Sequence, residues 1–249
     1  MAVVNTQNMQ MSWARDLDKI AMDSYTRWSP TYKEICEVST ESKQHYLKKA
    51  LIATLGGAVE IPQGGAVPFD TFKEGPSKTV YFSKFGLGMQ LTEEAIDDDQ
   101  NSLLKNIAGE IGKAMAYTTE LKAWDLLNSG FLTTRLGVDS VVFFSASHPL
   151  YGTTGVTKSN IVTGAISRTA IQNAITAFKA MVNEMNIPML VNGPYLLIAH
   201  PSQEWILREI VGSQLQPETG NNAINPLYGT NISYMTSPFI TNANYWFLC

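Results

Sequence analysis

The chain has 249 residues, is 45% hydrophobic and carries a formal net charge of −4. This composition excludes disorder throughout, and because neither sign of charge dominates it excludes a protein that coats nucleic acid or membranes by charge. Only 16% of the residues are charged, against about 25% in a typical soluble domain. Interface cores are depleted of charge, so the deficit predicts that partner subunits cover much of the surface. A compact monomer rich in Gly, Asn and Thr is the alternative.

The two cysteines, Cys36 and Cys249, are too few for a disulfide scaffold or a zinc cluster, so we expect free thiols in a reducing cytoplasm. The first residues lack the basic start and apolar run of a signal peptide. No apolar run approaches the roughly 20 residues that a membrane span needs. The sequence therefore predicts a protein without a membrane partner.

The first half of the chain predicts an arm, a hairpin and a long helix in that order. Residues 1–45 are polar with isolated aromatic residues, which favours short helices and an arm, with a break at Trp28–Pro30. Strand-like stretches at Val67–Phe72 and Lys78–Leu91 flank a turn at Glu74–Ser77. A two-stranded hairpin is marginal alone in water, so it needs its own domain or a neighbouring subunit to lie on.

The long helix is predicted over residues 93–128, with Thr92 as its N-cap and a stop at Gly130. The run Asp97–Ser102 has weak helix propensity and is the predicted place for a break. Apolar residues recur at helical spacing through the rest of the segment.

The second half alternates strands and helices. Strands are predicted at Val141–Phe144 and Tyr195–Ala199 and near the end of the chain, around Ile232–Tyr234 and Tyr245–Leu248. A capping box at Thr169–Gln172 predicts a helix, and a shorter helix follows the second strand. That shorter helix contains the apolar residues Trp205, Ile206 and Ile210.

No constellation of catalytic or ligand-binding residues stands out. The three histidines, His45, His148 and His200, lie beside no recognisable nucleophile motif. The run Asp97–Asp99 lacks the spacing of a calcium loop, and the paired glycines lack the lysine of a phosphate loop. We therefore predict no catalytic residue, no cofactor and no metal. A structural subunit needs none of these.

Several stretches resemble the Mu-like major head subunit family of tailed bacteriophages. Phe85–Asp99 is similar to that family's passage from hairpin to spine helix, and Phe144–Pro149 followed by Ser159-Asn160 is similar to the segment after the helix. Three further stretches resemble the closing strands of that family: Asn225–Gly229, Ile232–Tyr234 and Tyr245–Leu248. The ordered set, which covers roughly residues 30–249, carries the resemblance; no single motif is specific.

The resemblance implies an α+β fold, the tailed-phage major capsid fold. It would have an N-terminal arm at 1–45, an extended β-hairpin loop at 46–91, a peripheral domain with the spine helix at 92–159, and an α/β axial domain with return strands at 160–249. Members of the family commonly continue past the Trp-Phe-Leu stretch to close the peripheral domain. This sequence ends at Cys249, so we expect those closing strands to be missing here or to come from elsewhere.

The function implied is that of a viral structural protein, not an enzyme. Subunits would form pentamers and hexamers of an icosahedral head that encloses double-stranded DNA without sequence specificity, with a scaffolding protein, a portal and a decoration protein as partners. The location implied is the virion capsid, assembled in the cytoplasm of the host bacterium. Contacts between subunits are predicted at Val67, Phe69, Phe72, Tyr81, Phe85, Leu87, Met89, Asn221 and Asn222.

Two other functions remain open at the level of sequence. An encapsulin-like compartment of the same fold would house an enzyme cargo, and a co-purifying cargo protein would reveal it. A soluble hydrolase with an unrecognised site would be a stable monomer whose activity depends on a residue such as His148.

Overall fold

The computed structural model describes residues 6–39, 44–52, 55–70, 74–92, 94–95, 98, 102–151, 155–216 and 223–249, with side chains from residue 14 onward. The chain divides into two compact units that are discontinuous in sequence. The first combines Met1–Ser42 with Phe82–Asp125, and the second combines Lys43–Tyr81 with Leu126–Cys249. The four consecutive segments expected from the resemblance stay a prediction.

The first unit begins with one long helix, α1, at Thr6–Arg27. The expectation of short helices in this region is therefore wrong, although the predicted break at Trp28–Pro30 is confirmed because α1 ends directly before it. A single 3₁₀ turn follows at Tyr32–Glu34.

The second helix, α2, spans Leu103–Asn128 and is the longest element described. Its 26 residues give a rod of about 39 Å at 1.5 Å per residue. Ser102 has a φ of 55°, which an α-helix does not tolerate, so α2 begins only at Leu103.

Within the predicted first part, the described residues Glu94 and Ala95 are helical, and the N–H of Ala95 donates to the hydroxyl of Thr92, the predicted N-cap, at 3.4 Å. The predicted break in the run Asp97–Ser102 is confirmed at Ser102. The predicted stop after Asn128 is confirmed as well.

A buried carboxylate joins α2 to the segment that follows α1. Glu120 is fully buried, and its oxygens accept hydrogen bonds from the backbone N–H of Thr31 (2.5 Å), the hydroxyl of Thr31 (2.9 Å) and the indole N–H of Trp124 (3.0 Å). Hydrogen bonds to a charged acceptor are roughly twice as strong as neutral ones. Burial, and to a smaller degree the electrostatic effects of Tyr25 and Glu120, raise the pKa of the neighbouring Tyr32.

Close helix contact in this unit depends on Gly112. A Cβ there would lie 2.1 Å from the carbonyl oxygen of Ala21 on α1, so only glycine fits at this crossing.

The second unit is built on a three-stranded sheet in the order β6-β5-β7. Its central strand β5, Tyr195–Ala199, runs parallel to β6, Ile232–Thr236, and antiparallel to β7, Trp246–Leu248. These predicted strands are confirmed. Helix α3, Arg168–Lys179, precedes β5, and helix α4, Glu204–Gly212, follows it after a 3₁₀ turn at Pro201–Gln203.

Both faces of this sheet are covered. On one face Leu197 and Ala199 pack in a core with residues of the two helices, of the segment before α3 and of the loop before β6. The core members outside β5 are Ile166, Ile171, Leu207, Ile210 and Leu227. On the other face, Ile198 is fully buried and lies opposite Phe247 of β7. The ring of Phe247 lies 5.4 Å from that of Phe144, which belongs to an aromatic cluster with Phe131, Phe143 and Tyr245.

Two local predictions in this unit, a strand and a helix cap, are wrong in detail, and the apolar residues of α4 divide between core and solvent. Val141–Phe144 forms no strand beyond a single bridge between Leu136 and Val142, because Phe144 is used to cover the sheet instead. The N-cap of α3 is Ser167, whose hydroxyl accepts from the N–H of Ala170, two residues before the predicted box. In α4, Leu207 and Ile210 are buried, whereas Trp205 and Ile206 are exposed.

The remaining strands form two short antiparallel pairs, one of which is a hairpin. Strand β1, Tyr46–Ile52, pairs with β2, Glu74–Tyr81, and β3, His148–Pro149, pairs with β4, Thr157–Lys158. The predicted hairpin with strands at Val67–Phe72 and Lys78–Leu91 is therefore wrong in its pairing. Glu74–Ser77, predicted as the turn, opens β2 itself. Among the described helices none has the length and apolar character of a membrane span.

Candidate assembly surface

The hairpin of β1 and β2 is a sheet without a core. Tyr46 lies opposite Tyr81 and Ile52 lies opposite Glu74, with an irregularity between Ala50 and Ile52. The aromatic and branched residues of both strands favour β structure. Yet no residue of either strand is buried. Since a two-stranded hairpin buries too little surface to be stable alone, this one depends on contacts beyond its own two strands.

Large apolar side chains are concentrated at the base of this hairpin and in the segment between its strands. Tyr46 and Tyr81 are 50% and 69% exposed, and their rings lie 6.3 Å apart. Phe69 in the connecting segment is 94% exposed. The same segment exposes Leu55, Val59, Ile61 and Val67. Such a concentration of exposed apolar side chains is typical of a protein interaction surface.

A hydrogen bond within the second unit links the hairpin to the loop that follows α2. The ammonium group of Lys78 on β2 donates a hydrogen bond to the carbonyl oxygen of Leu136. A second bond closes the connecting segment, where the N–H of Gly56 donates to the carboxylate of Asp70 at 2.8 Å. Both contacts are polar and leave the apolar side chains of the hairpin exposed.

The segment after β2 belongs to the first unit and is not a strand. The apolar alternation from Tyr81 to Leu91 predicted one continuous sheet face, but the strand ends at Tyr81. Phe85 lies instead against α2, where the ammonium group of Lys122 is 5.6 Å from the centre of its ring. Phe85 and Leu87 remain half exposed, and Met89 is partly buried.

The predicted contact residues therefore form three groups, two with a described position and one without. Val67, Phe69 and Tyr81 lie in the hairpin and its connecting segment, whereas Phe85, Leu87 and Met89 lie in the segment after it. Phe72, Asn221 and Asn222 lie outside the described residues. Contact with another copy stays a prediction for all nine.

Sequence reasoning missed the first strand of the hairpin. Tyr46, Leu47 and Ile52 are exposed apolar residues of β1 that belong to the same surface. The run Tyr46–Ile52 combines an aromatic residue, branched residues and two lysines, which is the signal that was available for an edge strand.

One pair of side chains resembles part of a catalytic site. Nδ1 of His148 lies 2.5 Å from a carboxylate oxygen of Asp139, and the buried Nε2 has no hydrogen-bond partner. A catalytic triad would place a hydroxyl or thiol at Nε2. In this structure the pair instead joins the loop at Asp139 to strand β3. The part of the chain that is described holds no cluster of three metal-ligating side chains.

The family model described as "Phage capsid protein" matches residues 75–249, which is more than half of the chain. This chain belongs to the phage capsid protein family. The capsid protein is accordingly a viral structural protein of the virion capsid and not an enzyme. The Mu-like resemblance is narrower than this family and stays a prediction.

Solved capsid structures of bacteriophage JBD30 share the fold. The capsid decorated with minor capsid protein trimers is 13% identical with a TM-score of 0.67, covering 86% of this chain and 92% of that one. The JBD30 capsid is 14% identical with a TM-score of 0.64, covering 89% and 98%. Its procapsid is 14% identical with a TM-score of 0.65, covering 93% and 99%. These similarities confirm the predicted α+β capsid fold. No curated protein sequence matches this chain.

Proposed function

We propose that this capsid protein is the major head subunit of a tailed bacteriophage, which assembles as pentamers and hexamers into an icosahedral shell around double-stranded DNA. Assembly takes place in the host cytoplasm with a scaffolding protein, a portal and a decoration protein as partners. The DNA is enclosed without sequence specificity, in keeping with the scattered basic residues.

The observation that carries the proposal is the hairpin. It has no buried residue, and its base and connecting segment expose aromatic and aliphatic side chains to solvent. Burial of apolar surface is worth about 25 cal/mol per Å², so a second copy that covers these side chains stabilises both partners. A contact between two different surfaces closes into a ring when its rotation fits, which suits five- and six-membered rings.

The test is assembly of the purified full-length protein, alone and with its scaffolding protein, followed by negative-stain electron microscopy. We expect closed shells of uniform diameter. A chain that stays a monomer at high concentration under both conditions would contradict the proposal.

The hairpin's part in assembly is tested by the double substitution Tyr46→Ser/Tyr81→Ser, which removes both rings without placing like charges at directly opposite positions. We expect at least a tenfold loss of shells with an unchanged thermal transition of the subunit, because the two rings are exposed and support no core of their own. The matched control Tyr46→Phe/Tyr81→Phe keeps both rings and should assemble like the wild type. Normal shells from the Ser variant would show that the hairpin is not a contact surface.

A further inference from the structure

Helix α2 has two apolar sides, and α1 crosses one of them. The crossed side carries the buried residues Ala108, Gly112 and Ala116, and at Gly112 the two helices are too close to admit a Cβ. Leu103 lies nine residues before Gly112, or about two and a half turns, which places it on the opposite side of the helix. That opposite side therefore faces away from α1.

A stripe of large apolar side chains is exposed on this opposite side. Successive members of the stripe are four, three, four, three and four residues apart, the heptad spacing with which one helix packs along a second helix. The four large members are between 41% and 57% exposed. The α2 stripe consists of Leu103, Ile107, Glu110, Ala114, Tyr117 and Leu121.

The α2 stripe has the same pattern when it is read from either end. Leu103 and Leu121 are each nine residues from position 112, and Ile107 and Tyr117 are each five residues from it. Two copies of α2 that lie antiparallel, with position 112 of both at the same level, therefore place Leu103 against Leu121 and Ile107 against Tyr117. The stripe is thus complementary to itself under a two-fold rotation, which is the requirement for an isologous contact.

The charges in the middle of the stripe favour the antiparallel direction. Nζ of Lys113 lies 2.7 Å from Oε1 of Glu110, and both side chains are exposed. In a parallel pair in register, Glu110 of one copy would face Glu110 of the other, and like charges repel. In the antiparallel pair Glu110 faces Ala114 instead, and the two Glu110–Lys113 pairs meet near the rotation axis with equal numbers of both charges. Complementary charge of this kind fixes the register of a contact.

A two-fold contact has a defined place in a shell that is built from rings. In a ring of five or six copies each contact joins two different surfaces, whereas a two-fold contact joins a surface to itself. The α2 stripe therefore does not build a ring. It is suited to the contact between one ring and the next.

We propose that the α2 stripes of two copies pair antiparallel across a two-fold axis and join neighbouring rings of the shell. The inference rests on the proposed function, because only a shell of rings has neighbouring rings to join. It assigns the register of the contact, with Leu103 of one copy against Leu121 of the second copy, and it involves no residue of the hairpin.

A helix of a scaffolding protein is the alternative occupant of the stripe. Such a helix would also cover Ile107 and Tyr117, but it would not bring Ile107 of one copy close to Tyr117 of another. The test must therefore measure which residues of two copies meet, and not only whether the stripe is needed for assembly.

The experiment places cysteines in the stripe of full-length shells. The natural cysteines are first replaced in the background Cys36→Ser/Cys249→Ser, and Ile107→Cys and Tyr117→Cys are then added singly and together. A disulfide needs Cα atoms about 4.4–6.8 Å apart. In the proposed register position 107 directly faces position 117 of the second copy, whereas the two copies of position 107 lie about 15 Å apart along the helices. After mild oxidation of intact shells, the double variant should run as dimers on a non-reducing denaturing gel, and each single variant as monomers.

The pattern of bands decides whether the inference stands. Dimers without larger species support it, because a two-fold axis gives each subunit one partner. A ladder of larger species would indicate a head-to-tail contact, dimers from a single variant would indicate a parallel pair, and monomers throughout would indicate another occupant. Each of these results overturns the inference while the proposed function stands. If the wild type forms no shells, the proposed function fails instead.

A second set of variants decides the matter if the double cysteine variant folds but forms no shells. Ile107→Lys places a charge in the contact and should lower the yield of shells at least about tenfold, while the control Ile107→Leu should assemble normally. Adding Tyr117→Glu should restore at least half of the wild-type yield, because each new lysine then faces a carboxylate of the second copy. The two positions are about 15 Å apart within one helix, too far for an ion pair inside the subunit. With subunits that melt like the wild type, an unrestored yield overturns the inference.

Discussion

The two sheets of the second unit differ in how much of them is covered. In the three-stranded sheet, β5 has four of its five residues buried, and both faces are packed by side chains of the same chain. In the hairpin, seven and eight residues form a longer sheet with none buried. The hairpin strands are thus longer than β5 and have a similar β propensity. Because none of their residues is buried within the subunit, the hairpin has to be stabilised by contacts outside its own two strands.

This difference in burial follows from the elements that adjoin each sheet in the sequence. In the sequence, strand β5 lies between two amphipathic helices, and Ile171 and Leu207 of these helices are buried in one core with Leu197 and Ala199 of the strand. The hairpin strands are separated by 21 residues rich in glycine and proline. The described part of that segment, residues 55–70, contains no helix or strand that could cover them. The capsid fold thus combines a part that is complete within the subunit with a part that is completed by assembly.

Hydrogen exchange is expected to separate the two sheets most strongly. The amides of Leu197 and Ile198 should exchange only on global unfolding, whereas those of Lys48 and Thr79 should open at almost no cost, a difference of at least about 10³-fold in protection. On assembly the hairpin amides should become protected, while those of β5 should change little. Mass spectrometry of subunit and shell measures both, and equal protection of the two sheets in the free subunit would remove the distinction.

A matched pair of leucines tests the same distinction by stability. Leu197→Ala removes a fully buried side chain and should cost about 2–5 kcal/mol of unfolding free energy. Leu47→Ala, the same chemical change on β1, removes a side chain that is exposed, and should cost below about 1 kcal/mol in the subunit. Its effect should appear in the yield of shells instead. Similar losses of unfolding free energy for the two variants, measured by urea titration of the subunit, would mean that other parts of the same chain cover the hairpin.

The sheet and helices of the second unit were predictable because their signals are local. Tyr195–Ala199 is an apolar run of strand length, and Ile171 and Ile175 mark one helical face. The exposed side of α4 was not predictable, because Trp205 and Leu207 are both apolar and periodicity alone does not choose which of them turns to the core. Tertiary packing made that choice.

The hairpin was foreseen as an element but not in its pairing. Glu74-Gly75-Pro76-Ser77 has turn composition, yet it lies in β2 because Gly75 packs against Leu51 of the partner strand, where a Cβ would lie 3.2 Å from that residue. The turn propensity of these four residues is overridden by pairing with β1, a strand distant in sequence that the local sequence does not reveal. The position of Lys49 directly opposite Lys78 could not be predicted for the same reason, because it depends on the observed register of the two strands.

The smallest of the expected effects concerns Asn225, which fixes the loop beside the covered sheet. Its buried amide donates to the carbonyl oxygens of Ile210 (2.7 Å) and Ser213 (2.8 Å), and its side-chain oxygen accepts from the N–H of Leu227 (3.1 Å). Asn225→Ala should cost about 2 kcal/mol, because leaving a buried polar group unsatisfied costs about 1–3 kcal/mol. The control Asn244→Ala changes an exposed asparagine and should leave the melting temperature unchanged. Loss of Asn225 without destabilisation would mean that water replaces its three bonds, and that the covered sheet depends on apolar packing alone.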